Sequence, residues 1–179
     1  MKRVIENYGF LFVVVALIVS LDQWTKWLVR VNLPAGATWL PESLAWLSPY
    51  ARLVHWYNTG AAFGMFQGGS MVFTVLAFLV IGAILYYFPQ VDKRDWTLRA
   101  AMSMQLSGAL GNLVDRLTQN GKVTDFISVG TFPVFNIADA SISVGTAILL
   151  LGVYLQERAA RTLKGNAPES SQPGEVASE

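Results

Sequence analysis

The chain contains no cysteine and only one histidine, His55. Disulfides, thiolate metal sites and a cysteine nucleophile are therefore excluded. A Ser-His-Asp triad would have to rest on His55, and multi-histidine zinc motifs are impossible. Charge is scarce as well: 14% of the residues are charged and the net charge is +1, so nothing points to a nucleic-acid partner. What the sequence has in abundance is apolar surface. It is 53% hydrophobic over 179 residues, more than a soluble domain of that size can bury, whereas a bilayer solvates it. If the chain is a hydrolase, carboxylates are the first choice for its catalytic groups and a Ser-Lys dyad the second. We expect neither metal nor cofactor.

A membrane-spanning helix needs roughly 20 mostly apolar residues. Four segments qualify, at residues 9–29, 71–88, 98–117 and 137–155, which predicts an all-α membrane protein of four transmembrane helices. The third is the weakest by hydropathy, interrupted by Arg99, Gln105, Asn112, Asp115 and Arg116. Its small residues, among them Ala100, Ser103, Ser107, Gly108 and Gly111, predict close packing against neighbours. The apolar stretch of the first span is followed, within its last two turns, by Asp22-Gln-Trp-Thr-Lys26 instead of a small-residue cleavage site, so the span reads as retained.

Eight of the thirteen basic residues (Lys2, Arg3, Lys93, Arg94, Arg99, Arg158, Arg161, Lys164) fall on one side, which the positive-inside rule makes cytoplasmic together with both termini. Trp24, Trp27, Trp39, Trp46 and Trp56 gather at the other side, as rings do at a membrane interface. The outer segment 32–69 is rich in turns, and Arg52–Tyr57 has strand character, so a small extracytoplasmic sheet on the membrane surface is expected. Residues 1–164 read as a single polytopic domain and 165–179 as a disordered cytoplasmic tail.

Ionisable groups at membrane depth are costly unless paired or wet, which makes them functional candidates. Asp22, Lys26, Asn58, Asn112, Asp115, Arg116, Asp125, Asn136 and Asp139 all map to the outer ends of spans or to outer loops. Each has a plainer reading. Asp22 and Lys26, four apart, could simply pair. Asn112 and Arg116 share a helix face, and Asp115 could be an interface charge. Asn58-Thr-Gly60 with Ala61-Ala-Phe-Gly64 could be only a turn. Asn136 and Asp139 could be a helix cap. His55 reads as an interfacial strand residue. Asp125 is different, because it lies in the apolar run Val-Thr-Asp-Phe-Ile, where a solvated loop acid is not expected.

Asp125 and Asp139 are fourteen residues apart, which cannot be one helical face. The spacing suggests a hairpin or loop at Asp125 returning to the head of the fourth helix. Two carboxyls held close share a proton. The charged one then takes a proton from water while the protonated one donates to a scissile carbonyl. Lys26 or Arg116 could orient substrate or stabilise developing charge. Intramembrane acids also serve proton- or ion-coupled transporters, and that alternative stays open here, as do a Ser-Lys peptidase using Lys26 and a non-enzymatic scaffold.

Five segments together resemble those of bacterial lipoprotein signal peptidase, also called signal peptidase II. They are Asp22-Gln-Trp-Thr-Lys26, Asn58-Thr-Gly-Ala-Ala-Phe-Gly64, Gly108-Ala-Leu-Gly-Asn-Leu-Val-Asp-Arg116, Val123-Thr-Asp-Phe-Ile127 and Phe135-Asn-Ile-Ala-Asp139, in that family's order. The resemblance implies a four-helix enzyme of the bacterial cytoplasmic (inner) membrane with its site at the outer, periplasmic face. Its substrates would be prolipoproteins, cut just before the diacylglyceryl-modified cysteine, and its inhibitor the peptide antibiotic globomycin. Matched by motif, Asp125 and Asp139 are the catalytic pair, and Asp22, Lys26, Asn58, Gly108, Asn112, Arg116, Asn136 and Ala138 support the site or the substrate. One departure is Ser107, where a second glycine before Gly108 is usual.

Overall fold

The computed structural model describes residues 2–60 and 68–165. The segment Ala61–Gly64 and residues 166–179 of the expected tail lie outside them, while Gly165 belongs to the last helix. Four helices dominate: α1 Lys2–Asn32, α2 Ser70–Tyr87, α3 Trp96–Thr118 and α4 Ile137–Gly165. Three strands form one sheet, β1 Thr38–Trp39, β2 Ala51–Asn58 and β3 Val123–Val129. Stretches within three of the helices are long and apolar enough to cross a membrane: Asn7–Asn32, Ser70–Gln90 and Ile137–Arg158. The chain is a membrane protein: α2 and α4 turn Met71, Leu79, Leu150 and Tyr154 outward, exposed, where water would penalise them and acyl chains would not.

The third helix is less apolar because it sits in the middle. It packs against α1, α2 and α4, and its buried residues include Arg99, Ala101, Ser103, Ser107, Gly108, Gly111, Asn112 and Asp115. At its start, the Asp95 carboxylate accepts the Leu98 N–H at 2.9 Å as a cap. Arg99 is absorbed by protein rather than lipid: it donates to the carbonyls of Asn7 (2.9 Å) and Val91 (3.3 Å) and lies over the Phe88 ring. Ser103 and Ser107 each donate to the carbonyl four residues back, at 2.8 and 2.7 Å, so their hydroxyls are satisfied within the helix. Leu11, Ile84, Phe88 and Leu106 make an apolar core between α1, α2 and α3.

The small residues set the distance between α3 and α4. A Cβ added to Gly108 would overlap the Ala138 carbonyl and Ile142, and would lie 2.9 Å from Ser141 Oγ. At Gly111 it would come within 2.7 Å of Asp22 Oδ2 and 3.0 Å of Ala138 Cβ. Gly145 faces the Ala101 carbonyl in the same way at 3.0 Å. Small-residue seams of this kind let backbones approach where apolar burial gives no drive between helices.

The sheet is antiparallel in the order β1-β2-β3. The expected strand at Arg52–Tyr57 is β2, but the sheet is not confined to segment 32–69. Its third strand comes from between α3 and α4, and it contains Asp125, for which the spacing suggests a hairpin or loop. A one-residue bulge in β2 between Leu53 and Trp56 puts Val54 and His55 both inside and shifts the register so that Trp56 pairs with Asp125 and Asn58 with Val123. Asn120 and Gly121, with φ of 54° and 83°, make the turn from α3 into β3. After Gly130 the chain folds back, and Phe135 exchanges hydrogen bonds with Ile127 (2.8 and 3.1 Å) before α4 begins. That return brings the head of α4 against the middle of β3.

Gly108→Val should displace α4 from α3 and lower the thermal unfolding midpoint in detergent, by an overpacking cost of about 1–3 kcal/mol. Gly82→Val, where an added Cβ meets nothing within 4 Å, should leave the midpoint nearly unchanged.

Candidate active site

Asp125 on β3 and Asp139 in the first turn of α4 line one cavity of about 530 Å³, together with Asn58, Asn112, Arg116 and Phe135. The two elements meet through Asn136. Its side-chain amide donates to Asp125 Oδ1 at 2.7 Å, and its backbone N–H donates to Asp139 Oδ2 at 3.2 Å. Its side-chain oxygen in turn accepts the Asp139 N–H at 3.0 Å. Asn136 and Asp139 thus do form the reciprocal cap that their spacing suggests, and the same residues also face Asp125.

Three amides are oriented by their own acceptors. Asn112 Oδ1 accepts from Lys26 Nζ and from Asn136 Nδ2, both at 3.1 Å, which leaves its N–H to donate to Asp139 Oδ1 at 2.7 Å. Asn58 Oδ1 accepts the Gly60 N–H at 2.9 Å, which turns its amide N–H toward Asp125 Oδ2 at 3.2 Å. Asn136 is fixed likewise. Every one of these amides aims a donor at an aspartate oxygen.

A second layer lies behind them. Lys26, fully buried, contacts Asp22 at 2.9 Å and Asp115 at 3.5 Å. The expected Asp22–Lys26 pair exists, but Asp22 does more: its Oδ1 accepts the Ala138 N–H at 2.9 Å and so holds the first turn of α4. Asp115 is not an interface charge. It is fully buried and accepts the Thr124 N–H at 2.8 Å. His55 is buried in the sheet, with Nδ1 2.7 Å from the Leu33 carbonyl and outside the cavity lining. Arg116 lines the cavity, stacked over Phe73, and among the described residues its Nε has no hydrogen-bond partner. Gly108 and Ala138 contribute by shape, as the contact between α3 and α4. Sequence reading misses Gln23, whose amide bridges Asp22, the Gly111 carbonyl and Asp115 at 3.0–3.2 Å. Its place beside Asp22 is the only signal.

Burial is the largest influence on the Asp125 carboxyl and pushes its pKa from 3.8 up to about 7. Asp139 adds to the rise, while the bonds from Asn58 and Asn136 and the Lys26 charge oppose it.

Comparison with known proteins places the chain in a family. The family described as Signal peptidase (SPase) II matches residues 14–155. The chain belongs to the signal peptidase II family. Among its relatives, the lipoprotein signal peptidase of Shouchella clausii is 37% identical over 82% of this chain and 94% of the relative. That of Halalkalibacterium halodurans is 36% identical over 86% and 97%. A solved bacterial membrane enzyme superposes with a TM-score of 0.73 at 24% identity, covering 93% of this chain and 95% of that one. A second gives 0.71 at 27% identity, over 81% and 92%. The molecule is thus a signal peptidase II-type peptidase with the helical membrane fold of those enzymes, and the family does not favour a transporter.

A carboxyl whose pKa rises on folding binds its proton more tightly in the folded state. The folded signal peptidase should therefore lose stability as pH climbs from about 4 through about 7. In Asp125→Asn this contribution is removed. Thermal midpoints in detergent between pH 5 and pH 8 should decline less steeply for the variant than for the wild type; parallel slopes would contradict the assigned cause.

Proposed function

We propose that this protein is an aspartic endopeptidase that removes signal peptides from bacterial prolipoproteins. It would cut on the N-terminal side of the diacylglyceryl-modified cysteine with water activated by Asp125 and Asp139. The observation that carries this reading is the meeting of two carboxyls from separate elements in one cavity, joined by Asn136 and met by donors from Asn58 and Asn112.

In the reactive form the pair carries one proton. Asp125, with a pKa near 7, holds it and donates to the scissile carbonyl oxygen. Asp139, ionised, removes a proton from the attacking water. Asn112 and Asn136 keep the Asp139 oxygens in place while the charge moves. Arg116 lines the same cavity, and its guanidinium would bind a substrate carbonyl there. A Ser-Lys mechanism is disfavoured, because Lys26 is fully buried, held by Asp22, Asp115 and Asn112, and outside the cavity lining.

The same reading makes α3 a fourth span, shielded from lipid by its neighbours. Both termini are then cytoplasmic and the sheet lies on the outer face. Trp24, Trp27, Trp39, Trp46 and Trp56 are all exposed, as the aromatic belt of that face requires. A diacylglyceryl anchor would hold the scissile bond at this depth, and globomycin would compete for the cavity.

Purified Asp125→Asn and Asp139→Asn enzymes should each cleave a lipidated precursor more slowly by at least roughly 10²-fold, the usual lower range for loss of an acid or base. Both should remain folded in detergent. Near-normal cleavage by either variant would overturn the dyad.

A further inference from the structure

Behind the cavity, all three polar groups of one residue's backbone and side chain are held. Thr124, fully buried, immediately precedes Asp125 on β3. Its N–H donates to Asp115 Oδ2 at 2.8 Å. Its hydroxyl accepts from Arg30 Nη1 at 3.1 Å. Its carbonyl accepts, more loosely, from Asn136 Nδ2 at 3.4 Å. Arg30, from the last turn of α1, also lies 3.5 Å from Asp115 Oδ1, so the two side chains that grip Thr124 are themselves an ion pair.

From this geometry we infer that Arg30 and Asp115 form a clamp on Thr124 that fixes the register and depth of the β3 strand, making both positioning residues for Asp125. The inference rests on the catalytic reading of Asp125. Three features support it beyond mere packing. The strand is only seven residues long and its pairing with β2 is already interrupted by the bulge, so the ladder alone pins Asp125 weakly. In a strand, a one-residue slip reverses the direction of every side chain, which would turn Asp125 away from Asp139. The clamp draws on α1 and α3, elements with no side chain adjacent to Asp125 in sequence, and so ties the strand to the helical bundle. Neither Arg30 nor Asp115 lines the cavity, so neither touches the reacting groups directly.

The charged groups influencing Asp125 are Asp139 from α4 and Lys26 from α1, with Arg116 of α3 also facing it and the Asn58 amide of β2 beside it. Loosening the strand would let water reach its carboxyl and weaken those influences together.

The test uses the full-length enzyme in detergent with a lipidated precursor. Arg30→Gln should reduce kcat by roughly ten- to a hundredfold, as misplacement by about an ångström does, with little change in KM. The pH at which activity falls on the alkaline side should move to lower values. Arg30→Lys, which can still reach Thr124, should recover part of the loss. Arg30→Gln combined with Thr124→Val should be no worse than either alone, because both remove the same bond. A purely structural role predicts instead a smaller folded fraction with an unshifted pH profile, or losses that multiply in the double variant. Either result would overturn the clamp. Full activity in Arg30→Gln alongside an inactive Asp125→Asn would reject the clamp alone, whereas an active Asp125→Asn would reject the dyad reading on which it stands.

Discussion

Buried charge has to be matched by charge or by directed hydrogen bonds, and at the end of a membrane bundle this requirement is at its strictest. The four groups Asp22, Asp115, Lys26 and Arg30 meet it collectively: Lys26 contacts both acids and Arg30 contacts Asp115, while Asp22 Oδ1 and Asp115 Oδ2 also accept the backbone N–H groups of Ala138 and Thr124. The cluster therefore closes on itself. It also ties α1 and α3 to the first turn of α4 and to β3, the two places from which the cavity aspartates project. Asp125 and Asp139 stand outside this balance. They are met by neutral amides from Asn58, Asn112 and Asn136, with the Lys26 charge favouring the ionised Asp125 and Asp139 as a like charge against it. A carboxyl placed as Asp125 is keeps its proton near neutral pH, and this is the property a proton donor needs.

The balance is possible only because α3 and α4 approach closely. The Ala138 carbonyl and Ile142 occupy the space that a side chain at Gly108 would fill, and Asp22 reaches Ala138 past Gly111. Larger residues at these two positions would separate the helices and leave the Asp22 carboxylate without its backbone partner. The glycines thus act through distance: they allow a side chain from α1 to reach the head of α4 beside α3. Ser107 fits the same seam, since its hydroxyl is turned back onto its own helix and asks nothing of a neighbour.

Much of this is readable in the residues. Hydropathy locates the helices α1, α2 and α4, and small residues mark α3 as the packed one. The convergence of polar residues on one end is legible from Asp22, Lys26, Asn112 and Asp139, because acids and amides at the ends of apolar runs are too costly to keep without a partner or a task. The third strand is not legible. Val123–Val129 has the composition of a strand, but its partner β2 lies about 65–80 residues earlier in the chain, and pairing over that distance leaves no local pattern. The role of Asp115 is hidden for a related reason. Its partner is a backbone N–H on that unforeseen strand, and backbone groups carry no residue identity. Asn136 and Asp139 illustrate the opposite case: from the sequence the cap and the site stand as alternatives, yet one pair of side chains serves both.

That double use bears on why the pair is built from a strand and a helix head instead of two helices. A carboxylate at the first turn of a helix meets free N–H groups and the positive end of the helix dipole, which suit it to carry negative charge through a reaction. A carboxyl on a buried strand has its backbone groups engaged by the ladder and takes its character from burial and neighbours. Setting one of each across a cavity separates the two environments, which is how similar side chains come to act as base and acid. β3 and α4 thus present their two aspartates to one cavity from unlike backbone settings.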